Sequence, residues 1–444
     1  MQVFKFGGAS VNSADAVRNM TQIVSSYLDQ PLVVVVSAMG KTTNALERLV
    51  PGTTPSNEER DSIFSNLVSF HHEIIEGLWG KHFAQDEENP IHEAVRRESR
   101  RMVLDKVNTY FELLRLRVDS PATSYNFDYD QVVSFGEIIS TTIISEYLNF
   151  IAIHNRWVDV RDLIRTDANY REGHVDWAAT QLLVSTRLLP LLAPRSEGPQ
   201  SVVVTQGFIA GTVSKTTTTL GREGSDYSAA ILSHCLGAEE MTIWKDVPGF
   251  LNADPKFFKD TVKIEQIPYN EAIELAYYGA SVIHPKTVKP LQNKNIKLNI
   301  KSFLDPQAQG SVIGPYEEIK PLTPLYIFKN NQVLLSIMPK DFSFIAEDNL
   351  QTIFAALANA NIRVNLMQNS ALSFSLCVDH NDILLNQLQE LLQNTYKLRY
   401  NENLQLITIR YYTQDIIDQI VAGRPILLQQ RSRTTIQLIV ENKK

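Results

Sequence analysis

The sequence predicts a mixed α/β protein in two parts: an α/β sandwich around a largely parallel sheet, then a smaller region built from a repeated strand–helix–strand–strand unit. Three observations carry this prediction. The chain opens with a strand, a helix and a second, wholly apolar strand. The same alternation returns after residue 200. A glycine- and proline-rich stretch at 310–324 then precedes a new pattern that occurs twice. A length of 444 residues also suits two or three domains better than one.

Residues 3–6 read as a short strand ending in Gly7-Gly8. An amphipathic helix over 14–28 puts Ala16, Met20, Ile23, Val24 and Tyr27 on one face. Residues 32–36, Leu-Val-Val-Val-Val, form an unbroken β-branched run, the pattern of a strand buried on both faces of a parallel sheet. The three make a β-α-β unit, which closes right-handed in nearly all proteins. Residues 56–119 read as helices. Ser56 and Glu59 form a capping box ahead of an apolar stripe through Ile63, Leu67, Ile74 and Leu78, and Pro90 opens a second long helix reaching Arg117.

Strands then fall at 201–205, 241–245 and 297–302, with helices at 226–236 and 269–278, ended by Gly237 and Gly279. Beyond the boundary come a strand (333–337), a helix (349–361) and two strands (364–368, 373–378). The order recurs at 404–410, 413–421, 426–430 and 435–440. Each copy is too short for a catalytic domain and suits a small-molecule module.

Composition narrows the function. No stretch approaches the roughly 18 uninterrupted apolar residues of a membrane span, and the N-terminus lacks the features of a signal peptide. Two cysteines, Cys235 and Cys377, allow neither a disulfide framework nor a cysteine-rich zinc site. A net charge of −7 without long basic runs argues against nucleic acid as a partner. The chain reads as a cytoplasmic protein with neither membrane nor nucleic-acid attachment.

Gly40-Lys41-Thr42 resembles the end of a phosphate-binding P-loop, but that loop needs a glycine where Val35 stands, so the match is rejected. No zinc-protease or nucleophile-elbow motif occurs. Three glycine-bearing turns at predicted strand ends remain, where open α/β sheets bind ligands. They are Lys5-Phe6-Gly7-Gly8-Ala9-Ser10, a hydroxyl-rich loop over 37–44, and the run from Thr216 to Asp226 that opens into a helix. Glycines allow backbone N–H groups to approach an anion, and a helix N-terminus favours phosphate or carboxylate. Singly, each has a plainer reading: a surface lysine, a tight turn, a helix cap, a mobile threonine loop.

Taken together and in order, these segments resemble the aspartate kinases. Lys5 to Ser10 is similar to the family's K-F-G-G-[TS]-S, with Ala9 in place of threonine. Phe135-Gly136-Glu137 matches F-G-E, and Thr218 to Asp226 matches T-T-L-G-R-x-G-S-D. Trp244 to Pro255 is similar to W-T-D-V-x-G-x-x-x-x-D-P, and Gly279 to Pro285 to G-A-K-V-L-H-P.

The resemblance implies an amino-acid-kinase (carbamate-kinase-like) α/β/α sandwich over 1–310, with 56–119 its largely helical part. Two ferredoxin-like ACT modules would follow within 311–444, at about 325–395 and 396–444. It implies transfer of the γ-phosphoryl group of ATP, carried with Mg²⁺, to the side-chain carboxylate of L-aspartate. Lys5 would neutralise the transferring group, with Asp226 orienting it, and Gly7 and Gly8 would offer N–H groups to phosphate. Ser37, Thr43, Glu137, Arg222 and Ser225 would hold aspartate, Arg222 at its α-carboxylate and Glu137 at its ammonium group. Lys245, Asp246, Leu251, Asp254, Lys256 and Ser281 would line the nucleotide side. No protein metal cage and no acid–base histidine are implied, and His284 reads as structural.

Two departures stand out. Ser281 occupies the place of a lysine that reaches nucleotide phosphates, and Lys286 or Lys245 is expected to replace it. In the first module Asn365, followed by Ser370, stands where lysine-sensitive members carry an acidic residue. Feedback control is therefore expected to be weak or to use another amino-acid effector. A homodimer is the expected assembly. The alternatives are a related kinase acting on glutamate, acetylglutamate or UMP, and a non-catalytic ACT-type amino-acid sensor derived from a kinase. A fusion to homoserine dehydrogenase has no support after residue 310.

Overall fold

The computed structural model describes residues 1–53, 56–80, 90–193, 200–280 and 282–442. The chain forms two compact units. The first takes Met1–Phe250, Lys263–Ile273 and Val282–Ile319; the second takes Leu251–Val262, Glu274–Ser281 and Lys320–Lys444.

The first unit begins with the expected β-α-β: β1 (Gln2–Phe6), α1 (Ala14–Ser25) and β2 (Leu32–Val36). Four helices follow: α2 (Thr42–Glu47), α3 (Asn57–Leu78), α4 (Pro90–Val118) and α5 (Tyr125–Phe150). Ser56 caps α3 by accepting the Glu59 N–H, as the capping box predicts. Next come β3 (Asn155–Val158), α6 (Trp177–Leu183), β4 (Val202–Gln206), β5 (Ile209–Gly211), β6 (Thr217–Thr219), α7 (Gly224–Leu236) and β7 (Glu240–Lys245). The two-residue strands β8 (Phe250–Leu251) and β9 (Lys263–Ile264) precede β10 (Gln266–Pro268), α8 (Tyr269–Tyr278), α9 (Pro285–Gln292), β11 (Lys297–Ser302) and β12 (Ser311–Gly314).

Eight strands make one sheet in the order β10-β12-β11-β7-β1-β2-β4-β3, parallel except where β11 meets β12. Alternation along β1 sends Phe4 and Phe6 to one face, where they meet Trp244 and Tyr27 in a core that α1, α3, α4 and α5 cover. The opposite face carries α7 across β1, β2 and β7. This is the expected three-layer sandwich.

Helix α5 has no counterpart among the sequence-read elements. Most of its residues are buried, so no polar face marks its period. Within it, however, Asp130, Ser134, Glu137 and Thr141 recur at helical spacing, and all are buried.

The second unit contains β13 (Leu325–Pro339), α10 (Glu347–Asn359), β14 (Val364–Asn369), β15 (Phe374–Asp379), α11 (Asp382–Leu392), β16 (Tyr396–Arg410), α12 (Gln414–Val421), β17 (Ile426–Arg431) and β18 (Thr435–Glu441). The strands form one sheet in the order β14-β15-β13-β16-β18-β17, a palindrome of the two repeats with β13 and β16 antiparallel at its centre. Both central strands are far longer than the sequence pattern indicates. Each is broken by an asparagine at positive φ, Asn331 (56°) and Asn403 (57°), around which the register slips. The bulge interrupts the alternation and hides the continuity of each strand.

Candidate active site

The parallel strands β1, β2, β4 and β7 end side by side, and the site is assembled from the turns that leave them. Lys5 lies on β1 opposite Val35 of β2 and Ile243 of β7. Its ammonium group pairs with Asp226 Oδ1 at 2.6 Å, and Asp226 is wholly buried in the first turn of α7. On the other carboxylate oxygen, Oδ2, Lys245 Nζ stands at 3.7 Å. Burial alone would push the Asp226 carboxyl up, yet Lys5 and Lys245 together hold it below the usual carboxylate range.

The turn after β1 is glycine for a steric reason. A Cβ on Gly8 would lie 2.8 Å from the carbonyl oxygens of both Ala38 and Gly40, while Gly7 borders Lys5 Nζ. The Gly40 N–H donates to Gly8 O at 3.0 Å, so the turns after β1 and β2 interlock. Residues 37–44 are not one loop: Thr43 lies in α2, and Ser37 leaves β2 with its N–H donating to Phe6 O.

Helix α5 clamps the second turn. Gly136 allows close approach, since a Cβ there would meet Ala38 Cβ at 2.9 Å. Ser140 Oγ donates to Ser37 O at 2.8 Å, and Glu137 Oε1 accepts the Ala38 N–H at 3.2 Å. Glu137 Oε2, equally buried, has no hydrogen-bond partner among the described residues. Burial pushes this carboxyl up to about 8, against the pull of the Ala38 N–H. A carboxylate oriented by one N–H and orphaned on its other oxygen fits an incoming cation.

The same helix fixes the threonine run, which is not a mobile loop. Thr217–Thr219 forms β6, paired antiparallel with β5 and buried throughout. Asp130, absent from the sequence reading, accepts Thr219 Oγ1 at 2.8 Å, the Thr219 N–H at 3.0 Å and the Arg171 N–H at 2.8 Å. Gln131 brackets Thr217 in the same way. The polar stripe on α5 was the available signal for Asp130. The chain then reaches α7 through Glu223 at a φ of 54°, and among the described residues no side chain caps the helix. Its N-terminus is a ready anion site, with Arg222 exposed and Ser225 buried beside it.

On the nucleotide side of the motif order, Asp246 follows Lys245 and is exposed. Leu251, Asp254 and Lys256 belong to the second unit, where Asp254 accepts the Lys256 N–H at 2.9 Å. Ser281 lies outside the described residues. His284 is the N-cap of α9, accepting the Lys286 N–H, which agrees with a structural role.

In the second unit Asn365 is fully engaged. Its oxygen accepts from Lys329 Nζ at 2.9 Å, and its amide donates to Gln332 Oε1 at 2.8 Å and Asp379 Oδ1 at 3.0 Å. Ser370 closes the turn between β14 and β15 on Ser373. Lys329 carried no sequence signal, because its partner is reached only across the sheet.

The amino acid kinase family profile matches residues 1–302. The lysine-sensitive aspartokinase 3 of Escherichia coli is 35% identical over 381 residues, 85% of this chain and 78% of that protein. The chloroplastic aspartokinase 1 of Arabidopsis thaliana is 31% identical over 399 residues, 87% of this chain and 64% of that one. Among solved structures, E. coli aspartokinase III in complex with aspartate and ADP (R-state) superposes with a TM-score of 0.78 at 29% identity, covering 99% of this chain and 96% of that one. The same protein in complex with lysine and aspartate (T-state) gives 0.76 with the same coverage. This chain belongs to the amino acid kinase family and, within it, to the aspartokinases.

Proposed function

We propose that this protein transfers the γ-phosphoryl group of ATP to the side-chain carboxylate of L-aspartate, giving 4-phospho-L-aspartate for amino-acid biosynthesis. The observation that carries this reading is the buried Lys5–Asp226 pair at the strand ends, beside loops held by a carboxylate, Glu137, that lacks a partner on one oxygen among the described residues. A carboxylate is already a nucleophile, so the reaction needs alignment and charge neutralisation but no general base.

In this reading Asp226 holds and aims Lys5, and Lys5 offsets the charge that spreads over the transferring phosphoryl oxygens. Gly7 and Gly8 give the phosphates close access to backbone. Glu137 receives the ammonium group of aspartate, Arg222 grips its α-carboxylate in bidentate fashion, and Ser37, Thr43 and Ser225 complete the hydrogen bonding. Asp246, Leu251, Asp254 and Lys256 serve the nucleotide. Among the described residues no group of three or more His, Cys, Asp or Glu forms a metal cage. Mg²⁺ would enter on the phosphates of ATP, in keeping with its preference for phosphate and water oxygens.

We place catalysis in 1–310 and regulation in 311–444, with a homodimer as the working assembly. The Lys329 ammonium group already occupies the Asn365 oxygen. The ammonium group of a free amino acid would meet like-charge repulsion from Lys329 at this oxygen, which supports weak control by lysine.

The test is ADP release from ATP and Mg²⁺ with L-aspartate, for wild type and Lys5→Ala. Aspartate-dependent turnover should fall by about 10²–10⁴-fold in the variant. Glutamate in place of aspartate should give none. A folded wild-type protein that binds an amino acid but never turns over would replace this reading with the sensor.

A further inference from the structure

Lys245 ends β7, and the register fixes where it points. Lys5 lies opposite Ile243, so Lys245, two residues on, faces the same side of the sheet one step nearer the strand ends. Trp244, between them, turns the other way into the core. Lys245 Nζ donates to Val282 O at 2.5 Å and stands 3.7 Å from Asp226 Oδ2. Its side chain retains 18% of its exposure, against 8% for Lys5.

The charges decide the matter. Asp226 is wholly buried and cancels one ammonium group. With Lys5 alone the pair would carry no net charge and would present only a dipole to a polyphosphate. With Lys245 the cluster of two cations and one anion carries a net positive charge at the open end of the sheet. An ammonium group has three donors. One is used at Val282 O and one faces Asp226, and among the described residues no acceptor takes the third. Lys286, the other candidate for the role, is exposed on α9.

We propose that Lys245 is a second phosphate-binding cation of this site, sharing Asp226 with Lys5 and gripping the terminal phosphates of the nucleotide. This rests on the phosphoryl-transfer reading above. The Val282 carbonyl holds the lysine in place and ties it to the turn that follows residue 281.

The experiment is calorimetric binding of ATP, ADP and AMP to the full chain, for wild type, Lys245→Met and Lys245→Arg, with ADP release measured alongside. A charge-assisted contact to phosphate predicts that Lys245→Met weakens ATP and ADP by about 10–100-fold and leaves AMP within about twofold. Lys245→Arg should recover most of the loss. Unchanged ATP and ADP binding would overturn the proposal. So would an equal loss for all three nucleotides with a lowered Tm, the signature of a mere clamp on Val282. Should Lys245→Met fail to fold, Lys245→Gln keeps a donor for Val282 O without the charge, and the same series of nucleotides applies. A wild type that binds ATP but does not phosphorylate aspartate would defeat the phosphoryl-transfer reading while the nucleotide series still judges Lys245. A wild type that binds no ATP would defeat both.

Discussion

Glu137→Gln should stabilise the ligand-free protein at alkaline pH while destroying its use of aspartate. The carboxyl is buried and raised from 4.5 to about 8. Between those values the unfolded chain carries the charge and the folded chain holds the proton, so the native state binds more protons. Stability therefore falls as pH rises through this window, and the full penalty is reached above pH 8. At about 1.4 kcal/mol per pH unit the upper bound is roughly 5 kcal/mol, and relaxation of the site brings the expected effect to about 1–3 kcal/mol.

Glutamine keeps an oxygen for the Ala38 N–H but places an amide where the orphan oxygen was, at a cost independent of pH. The diagnostic is the change with pH. Urea melts of wild type and variant at pH 5.0 and 8.5 should show the difference in stability moving toward the variant by that amount. In wild type, pairing with the substrate ammonium group would draw the carboxyl back down, so aspartate binding should release a proton near neutral pH. Calorimetry in buffers of different ionisation enthalpy reads this directly. A stability difference independent of pH, or aspartate binding without proton release, would refute the assignment of Glu137.

Gly8→Ala would push a methyl group to 2.8 Å from two backbone carbonyl oxygens, which should cost about 1–3 kcal/mol in chemical denaturation; an unchanged midpoint would mean that the two turns do not interlock. Lysine should half-inhibit the enzyme only above about 1 mM, a weak affinity on the usual scale. Lys329→Met, which frees the Asn365 oxygen, should lower that concentration in the ADP-release assay. A shift in the opposite direction would show that Lys329 supports the effector site instead of filling it.

Much of the site was legible because its parts are local. A β-branched run, a lysine before two glycines and a threonine–glycine–arginine turn can each be read within a few residues and point to Lys5 and Asp226, whereas Glu137 came only with the family resemblance through Phe135-Gly136-Glu137. What stayed hidden was whatever lacks a period or spans the sheet. Helix α5 is buried nearly all round, and the long strands β13 and β16 are interrupted by their bulges. The threonine run looked mobile because Asp130 and Gln131, which pin it, lie far back in the chain.

The sequence by itself determined the two-part α/β architecture, the family and the stock of charged groups, since these follow from side-chain pattern and identity along the chain. Only the tertiary structure decided how those charges were shared. The sheet order β7-β1-β2 brings Lys245 beside Lys5 over a buried Asp226, and the packing of α5 on the turn after β2 buries Glu137 with one oxygen unpaired among the described residues. Coulomb energy and desolvation depend on distance in space and on exclusion of water, and neither is written in the spacing of residues along the chain.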